Sequence, residues 1–272
     1  MSEQAAGSRE RGSMAGESPE LGARNPPWRS APGGQHSQPG FFGVEGIDAL
    51  VPGGVSYDTQ IMVQGDTGIG KSVLAAQFVY EGLLVGDRCV YVACDEPPSA
   101  LRESMANLRL GTVAYERSGQ LVFIDSYSRE RSRETYFVPD PSNFDEFFLY
   151  QRRVLDQHAG VPTRMVVDSI STVLSTAATP DILEFSGLRL RYLRARRVLT
   201  LDVVVAGVIE ERALAGLSHL YPMILKMHYV PVDGSLQRYL QLGKLRSGHF
   251  TSVQHQFSID PRTGIIVHPA RG

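Results

Sequence analysis

From Phe41 onward, short apolar runs alternate with segments of helical spacing, a pattern that predicts stacked βαβ units around a parallel sheet. The predicted strands are Gln60 to Gln64, Cys89 to Cys94, Leu121 to Ile124, Arg164 to Val167 and Val203 to Val208. Helical segments between them begin near Lys71, Ser99, Phe144 and Pro180. After Val208 the character changes. His219 to Val230, Leu236 to Lys244, Val253 to Ile259 and Ile265 to His268 read as antiparallel strands, with turns at Val232-Asp233-Gly234-Ser235 and Pro261-Arg262-Thr263-Gly264. The expected fold is therefore α/β, a mixed and mainly parallel sheet with helices on both faces and an antiparallel C-terminal extension. No internal repeat is visible.

Residues 1 to 40 break this pattern, with seven Gly, five Pro and six Ser, and Leu21 alone among Leu, Ile, Val and Phe. Such a segment buries too little apolar surface to offset its ordering entropy, so a disordered tail is expected, a solvated linker in the plainer reading, with Trp28 as the candidate contact for a protein partner. The domain is expected to span 41–272. Lys and Arg total 27 against 29 Asp and Glu, a net charge of −2 that argues against nucleic-acid binding driven by bulk charge. The absence of a long apolar run and of a signal-peptide core leads to the expectation of a cytoplasmic protein with no membrane span. Cys89 and Cys94 should point to opposite faces of a strand, which fits neither a disulfide nor a metal pair.

Only three of the 27 basic residues are lysines, namely Lys71, Lys226 and Lys244. Lysine is a compact point charge, suited to a tight phosphate pocket that a planar guanidinium does not fit. Lys71 lies in Gly65-Asp66-Thr67-Gly68-Ile69-Gly70-Lys71-Ser72, which matches G-x-x-x-x-G-K-[ST] in full, with an apolar run before it and a helical pattern after it. In such a loop the backbone N–H groups and a helix N-terminus cradle a phosphate chain. Lys71 is expected to reach the β- and γ-phosphates of ATP and the Ser72 hydroxyl to ligate Mg²⁺. A second metal-site group is expected at the tip of a neighbouring buried strand, and Met165-Val166-Val167-Asp168 supplies it. Ser169 follows, where it could orient the attacking water or the γ-phosphate. Water also needs a base, and Asp95-Glu96 at the tip of the second strand offers two carboxylates.

With these pieces in place, the chain resembles the KaiC-type branch of the RecA/RadA-like P-loop ATPases over nearly all of Phe41 to Pro269. The matching residues are Gly46-Ile47-Asp48-Ala49-Leu50 before Gly53-Gly54, the P-loop, Asp95-Glu96, Asp168-Ser169 and Lys244-Leu245-Arg246. The resemblance implies a RecA-like core, ATP and Mg²⁺ as ligands, and support of water attack by Glu96 with Asp95 assisting. It also implies a homo-oligomeric ring, commonly a hexamer, in which Lys244 and Arg246 reach the γ-phosphate held by the adjacent subunit. The chain departs from the family pattern at three places. Asp95 stands where the family usually has Glu, Ser247 precedes Gly248, and Ala206-Gly207-Val208 replaces the threonines often found at the tip of the fifth strand.

Four activities compete at this level: a regulatory or signalling ring ATPase, a DNA-recombination ATPase like RadA, an autokinase, and a nucleotide-gated binding module with little turnover. The loops that would face DNA speak against recombination. Ser169 to Asp181 has no basic residue, and Val208 to His219 has Glu210 and Glu211 with a single Arg212. An autokinase would need an acceptor, and Ala213 to Val230 offers only Ser218. ATP hydrolysis is the favoured expectation.

Overall fold

The computed structural model describes residues 38–157, 160–246, 250 and 252–269. The N-terminal tail up to residue 37, Trp28 included, and Ser247-Gly248 lie outside the described residues. Gly40, counted with the tail from composition, pairs with Val55 in an antiparallel bridge, so ordered structure begins by that point.

The elements in chain order are α1 (Glu45–Asp48), β1 (Gln60–Gly65), α2 (Lys71–Val85), β2 (Arg88–Ala93), α3 (Pro98–Asn107), α4 (Val113–Arg117), β3 (Leu121–Asp125), β4 (Tyr136–Phe137) and α5 (Phe144–Asp156). They continue with β5 (Thr163–Asp168), α6 (Ile170–Leu174), α7 (Thr179–Ala195), β6 (Val198–Val205), α8 (Glu211–Leu220), β7 (Met223–Val232), β8 (Ser235–Leu245), β9 (His255–Asp260) and β10 (Gly264–Val267). All ten strands form one sheet in the order β10-β9-β8-β7-β1-β6-β5-β2-β3-β4. From β7 to β4 the neighbours run parallel, and β8, β9 and β10 add antiparallel strands at one edge.

The central strands read as continuous apolar runs because both faces are covered. Ile61, Val63, Cys89, Tyr91 and Val166 face one core with Leu74 and Phe78 of α2 and Leu101 of α3. Met62, Val90, Val92, Met165 and Val167 face a second core built by Phe147 of α5, Phe185 of α7 and Leu217 of α8. Cys89 and Cys94 fall in opposite cores. Helices thus cover both faces, as the alternating pattern implied.

Three expectations need correction. β6 begins at Val198 rather than Val203 and ends before Ala206-Gly207-Val208, which form a turn with Gly207 at φ 79°. Polar Thr200 and Asp202 hid its first half, yet both are fully buried. Asp202 accepts two hydrogen bonds from Arg189 of α7 at 2.6 and 3.0 Å and one from Tyr221 at 2.6 Å, and this ion pair permits the burial. Arg189 is therefore buried in an ion pair rather than solvated. The strand expected from His219 starts at Met223, because 219 and 220 close α8, and it runs parallel to β1 while pairing antiparallel with β8. The β7–β8 turn is as expected, with Asp233 and Gly234 both at positive φ. Among the described residues no helix is long and apolar enough to cross a membrane.

Candidate active site

The C-terminal ends of β1, β5 and β2 converge at one edge of the sheet, where chain reversals leave a crevice and backbone donors. β1 delivers Gly65, where a Cβ would lie 2.3 Å from the Met227 carbonyl oxygen, so no side chain fits against β7. The loop then turns through Gly68 (φ 73°) and Gly70 (φ 117°), conformations that favour glycine. Ile69, fully buried, pins the loop to the core, and Gly70 caps α2, whose first turn opens on Lys71 and Ser72. Thr67 and Gly68 stand exposed at the loop tip. The structure thus brings Gly65, Asp66, Thr67, Gly68, Ile69, Gly70, Lys71 and Ser72 together as one cradle.

Lys71 is buried, and its Nζ donates to the carbonyls of Gly65 (3.0 Å) and Asp66 (2.7 Å). Burial lowers its pKa, opposed by the charges of Asp168, Asp66 and Asp95. Asp168 ends β5 on the neighbouring side of the site and is buried, accepting a hydrogen bond from the Tyr91 hydroxyl at 2.8 Å. Burial pushes its carboxyl up to about 6, against the pull of hydrogen bonds from Tyr91 and Ser72, with Asp95 and Glu96 adding repulsion. Ser72 therefore sits against Asp168, a hydroxyl and a carboxylate on one point. This oxygen donor set fits Mg²⁺, which prefers one or two protein oxygens with phosphate and water completing its shell. Among the described residues no cluster of three His, Cys, Asp or Glu side chains offers a competing metal cage.

Beyond Asp168 the chain passes through a cis peptide to Ser169. The Ser169 hydroxyl donates to Asp95 Oδ1 at 3.1 Å, and Thr172 donates to the same oxygen. Ser171 donates to Ser169 (3.1 Å) and accepts from the Val205 backbone N–H (3.0 Å), so hydroxyls of α6 connect the tips of β2, β5 and β6. The Asp95 and Cys94 backbone N–H groups both donate to the Asp168 carbonyl, which fixes β2 to β5. Asp95 is thus tied into the site through its side chain and its backbone. Glu96 is half-buried beside it, and its pKa is raised by burial and then by the Asp95 charge, which moves a carboxylate toward a general base's range.

Lys244 and Arg246 lie elsewhere. Lys244 pairs with Ile224 near the start of β7, whereas Gly65 pairs with Met227. Three rungs along the strand and two strands across place Lys244 roughly 14 Å from the base of its own P-loop. Its Nζ donates to the carbonyls of Ser218 (2.8 Å) and His219 (3.1 Å) at the end of α8, and Arg246 donates to His219 at 3.2 Å. The pair is brought together, but not in the chain's own site.

Thr172, Ser171, Tyr91 and Tyr229 were not visible as site residues in the sequence. Hydroxyls at Ser169, Ser171 and Thr172 straight after a strand-end acid were a usable signal. Tyr229, which contacts the P-loop from β7, had none, because strand register decides which residue of β7 lies beside the loop.

A family model described as the KaiC ATPase matches residues 42–272. The UPF0273 protein PH0284 of Pyrococcus horikoshii is 29% identical over 234 residues, covering 84% of this chain and 92% of that protein. The UPF0273 protein of Thermotoga maritima is 24% identical over 236 residues, covering 85% and 96%. Among solved structures, the KaiC-like protein PH0186 from Pyrococcus horikoshii superposes with a TM-score of 0.67 at 24% identity, covering 84% of this chain and 97% of that one. That likeness concerns the fold.

Proposed function

The chain belongs to the KaiC family of ATPases, and from that premise we propose that it hydrolyses ATP in a homo-oligomeric ring, each nucleotide held by one subunit and completed by cations of the next. The observation that carries the reading is the separation just described. A P-loop, a metal-site pair and a carboxylate pair share one end of the sheet, while Lys244 and Arg246 sit near the other with their charges on helix-end carbonyls. Within the subunit these two cations bond the end of α8 rather than the P-loop. In a ring they are available to the neighbour.

The cradle's N–H groups and Lys71 bind the phosphate chain, and Ser72 and Asp168 would hold Mg²⁺, which would supply neutralisation of phosphate charge. Glu96 accepts the proton of the attacking water. Asp95, gripped by Ser169 and Thr172, holds the β2 tip so that Glu96 faces the site. Lys244 and Arg246 from the adjacent subunit stabilise charge developing on the transferred phosphoryl group.

A regulatory or signalling role fits better than recombination, because α6 and the segment before α7 carry no basic residue. The experiment is an ATPase assay with and without single-stranded DNA, beside size-exclusion chromatography with and without ATP. The proposal expects Mg²⁺-dependent turnover, indifference to DNA and an ATP-promoted oligomer. Turnover by a species that stays monomeric with ATP would refute it.

A further inference from the structure

We infer that Tyr229 is a positioning residue of the P-loop, setting nucleotide affinity from outside the cradle. It lies on β7, two residues past the rung that pairs with Gly65, where the strand runs on alongside the loop. Two contacts bracket the loop. The Tyr229 backbone N–H donates to Asp66 Oδ2 at 3.1 Å, and its phenol donates to the Gly68 carbonyl at 3.0 Å. Gly68, at φ 73°, has no side chain to hold that peptide, and the Tyr229 phenol bonds its carbonyl.

The consequence follows from peptide planarity. In a trans peptide the carbonyl and the following N–H point in opposite directions. A Gly68 carbonyl drawn to Tyr229 turns the Ile69 N–H the other way, onto the Asp66 carbonyl at 3.3 Å, a bond that closes the loop's turn on itself. The phenol therefore fixes the turn that shapes the glycine-rich cradle around a phosphate chain. The contact to Asp66 also engages a carboxylate close to where phosphate charge would sit, so the Tyr229 N–H holds that charge on the strand side. Tyr229 is itself held: the Arg238 guanidinium, opposite it on β8, lies 5.6 Å over its ring. The loop is thus aligned before the ligand arrives, which spares the ordering cost that binding would otherwise carry.

This inference rests on the P-loop reading, and the test separates the two. Tyr229→Phe removes one hydroxyl and leaves the ring, the backbone N–H and Arg238 in place. The expected result is a rise of roughly tenfold in the Kd of Mg·ATP and in KM, the size of one lost neutral hydrogen bond, with kcat at saturating ATP within about twofold of the parent. Tyr229→Leu, which also loses the ring, should raise Kd further. Tyr239→Phe on the same hairpin, whose ring stacks on His228, is the control for loss of a phenol and should leave Kd unchanged. A merely structural role would lower the thermal midpoint of the nucleotide-free protein and leave Kd alone, and that result overturns the inference. If Lys71→Ala abolishes ATP binding while Tyr229→Phe binds like the parent, the P-loop reading stands and the role of Tyr229 falls. If Lys71→Ala binds ATP unchanged, the P-loop reading itself fails and takes this one with it.

Discussion

Asp168→Asn should make the nucleotide-free protein more stable while weakening the magnesium dependence of its ATP binding. The carboxyl of Asp168 is almost fully buried, and burial raises its pKa from the ordinary 3.8 to about 6. Between those values the folded chain holds more protons than the unfolded one, so stability falls as pH rises through the window, and the full penalty is present above pH 6. The shift corresponds to about 3 kcal/mol at neutral pH. Asparagine keeps an acceptor for the Tyr91 hydroxyl without the charge, so at pH 7.5 the variant's thermal midpoint should rise by up to roughly 6–12 °C. Its midpoint should also lose the decline expected of the parent between pH 4 and 6. The same substitution removes a charge that would hold Mg²⁺, so calorimetric titration with ATP should show a smaller magnesium-dependent gain in affinity than the parent. In the parent, the magnesium-dependent part of the affinity should fall by about tenfold from pH 7 to pH 5 as Asp168 protonates. A variant less stable than the parent at pH 7.5, or one that keeps the parent's full magnesium dependence, would refute this account of Asp168.

Two further outcomes follow from contacts already described. Glu96→Gln keeps size and hydrogen bonding but cannot take a proton, so single-turnover hydrolysis should drop by about 10² to 10⁴ with ATP affinity retained. Asp95→Asn still accepts from Ser169 and Thr172 and should cost less, and the reverse order of damage would exchange the two roles. Arg189→Met strands the fully buried Asp202 and should cost about 3–5 kcal/mol in urea unfolding, whereas adding Asp202→Asn should restore part of that loss. A double variant no better than the single one would contradict the pairing.

Much of this architecture was legible in the chain because parallel strands buried on both faces leave near-continuous apolar runs, and a P-loop depends on local spacing. β1, β2, β3 and β5 were visible for that reason, as was the cradle. The first half of β6 was not, since Asp202 looks like surface until Arg189 is found behind it, thirteen positions earlier in the sequence but in contact through the fold. The parallel pairing of β7 with β1 was hidden as well, because neighbouring strands in a sheet leave no local mark of their direction. The same non-locality explains the site. Asp168 and Glu96 announced themselves at strand ends, but the grip of Thr172 on Asp95, 77 residues away, and of Tyr229 on Gly68, 161 residues away, exists only once the strands are in register.

The central claim, that Lys244 and Arg246 serve the neighbouring subunit's nucleotide, is tested most directly by mixing two inactive variants. Lys71→Ala lacks nucleotide binding, and the Lys244→Ala/Arg246→Ala variant lacks the cations. Both should be inactive alone. When co-assembled, some interfaces pair an intact P-loop with intact cations from the Lys71→Ala subunit, and the account predicts partial recovery of ATPase activity. Zero recovery in mixtures that native mass spectrometry shows to be co-assembled would contradict it.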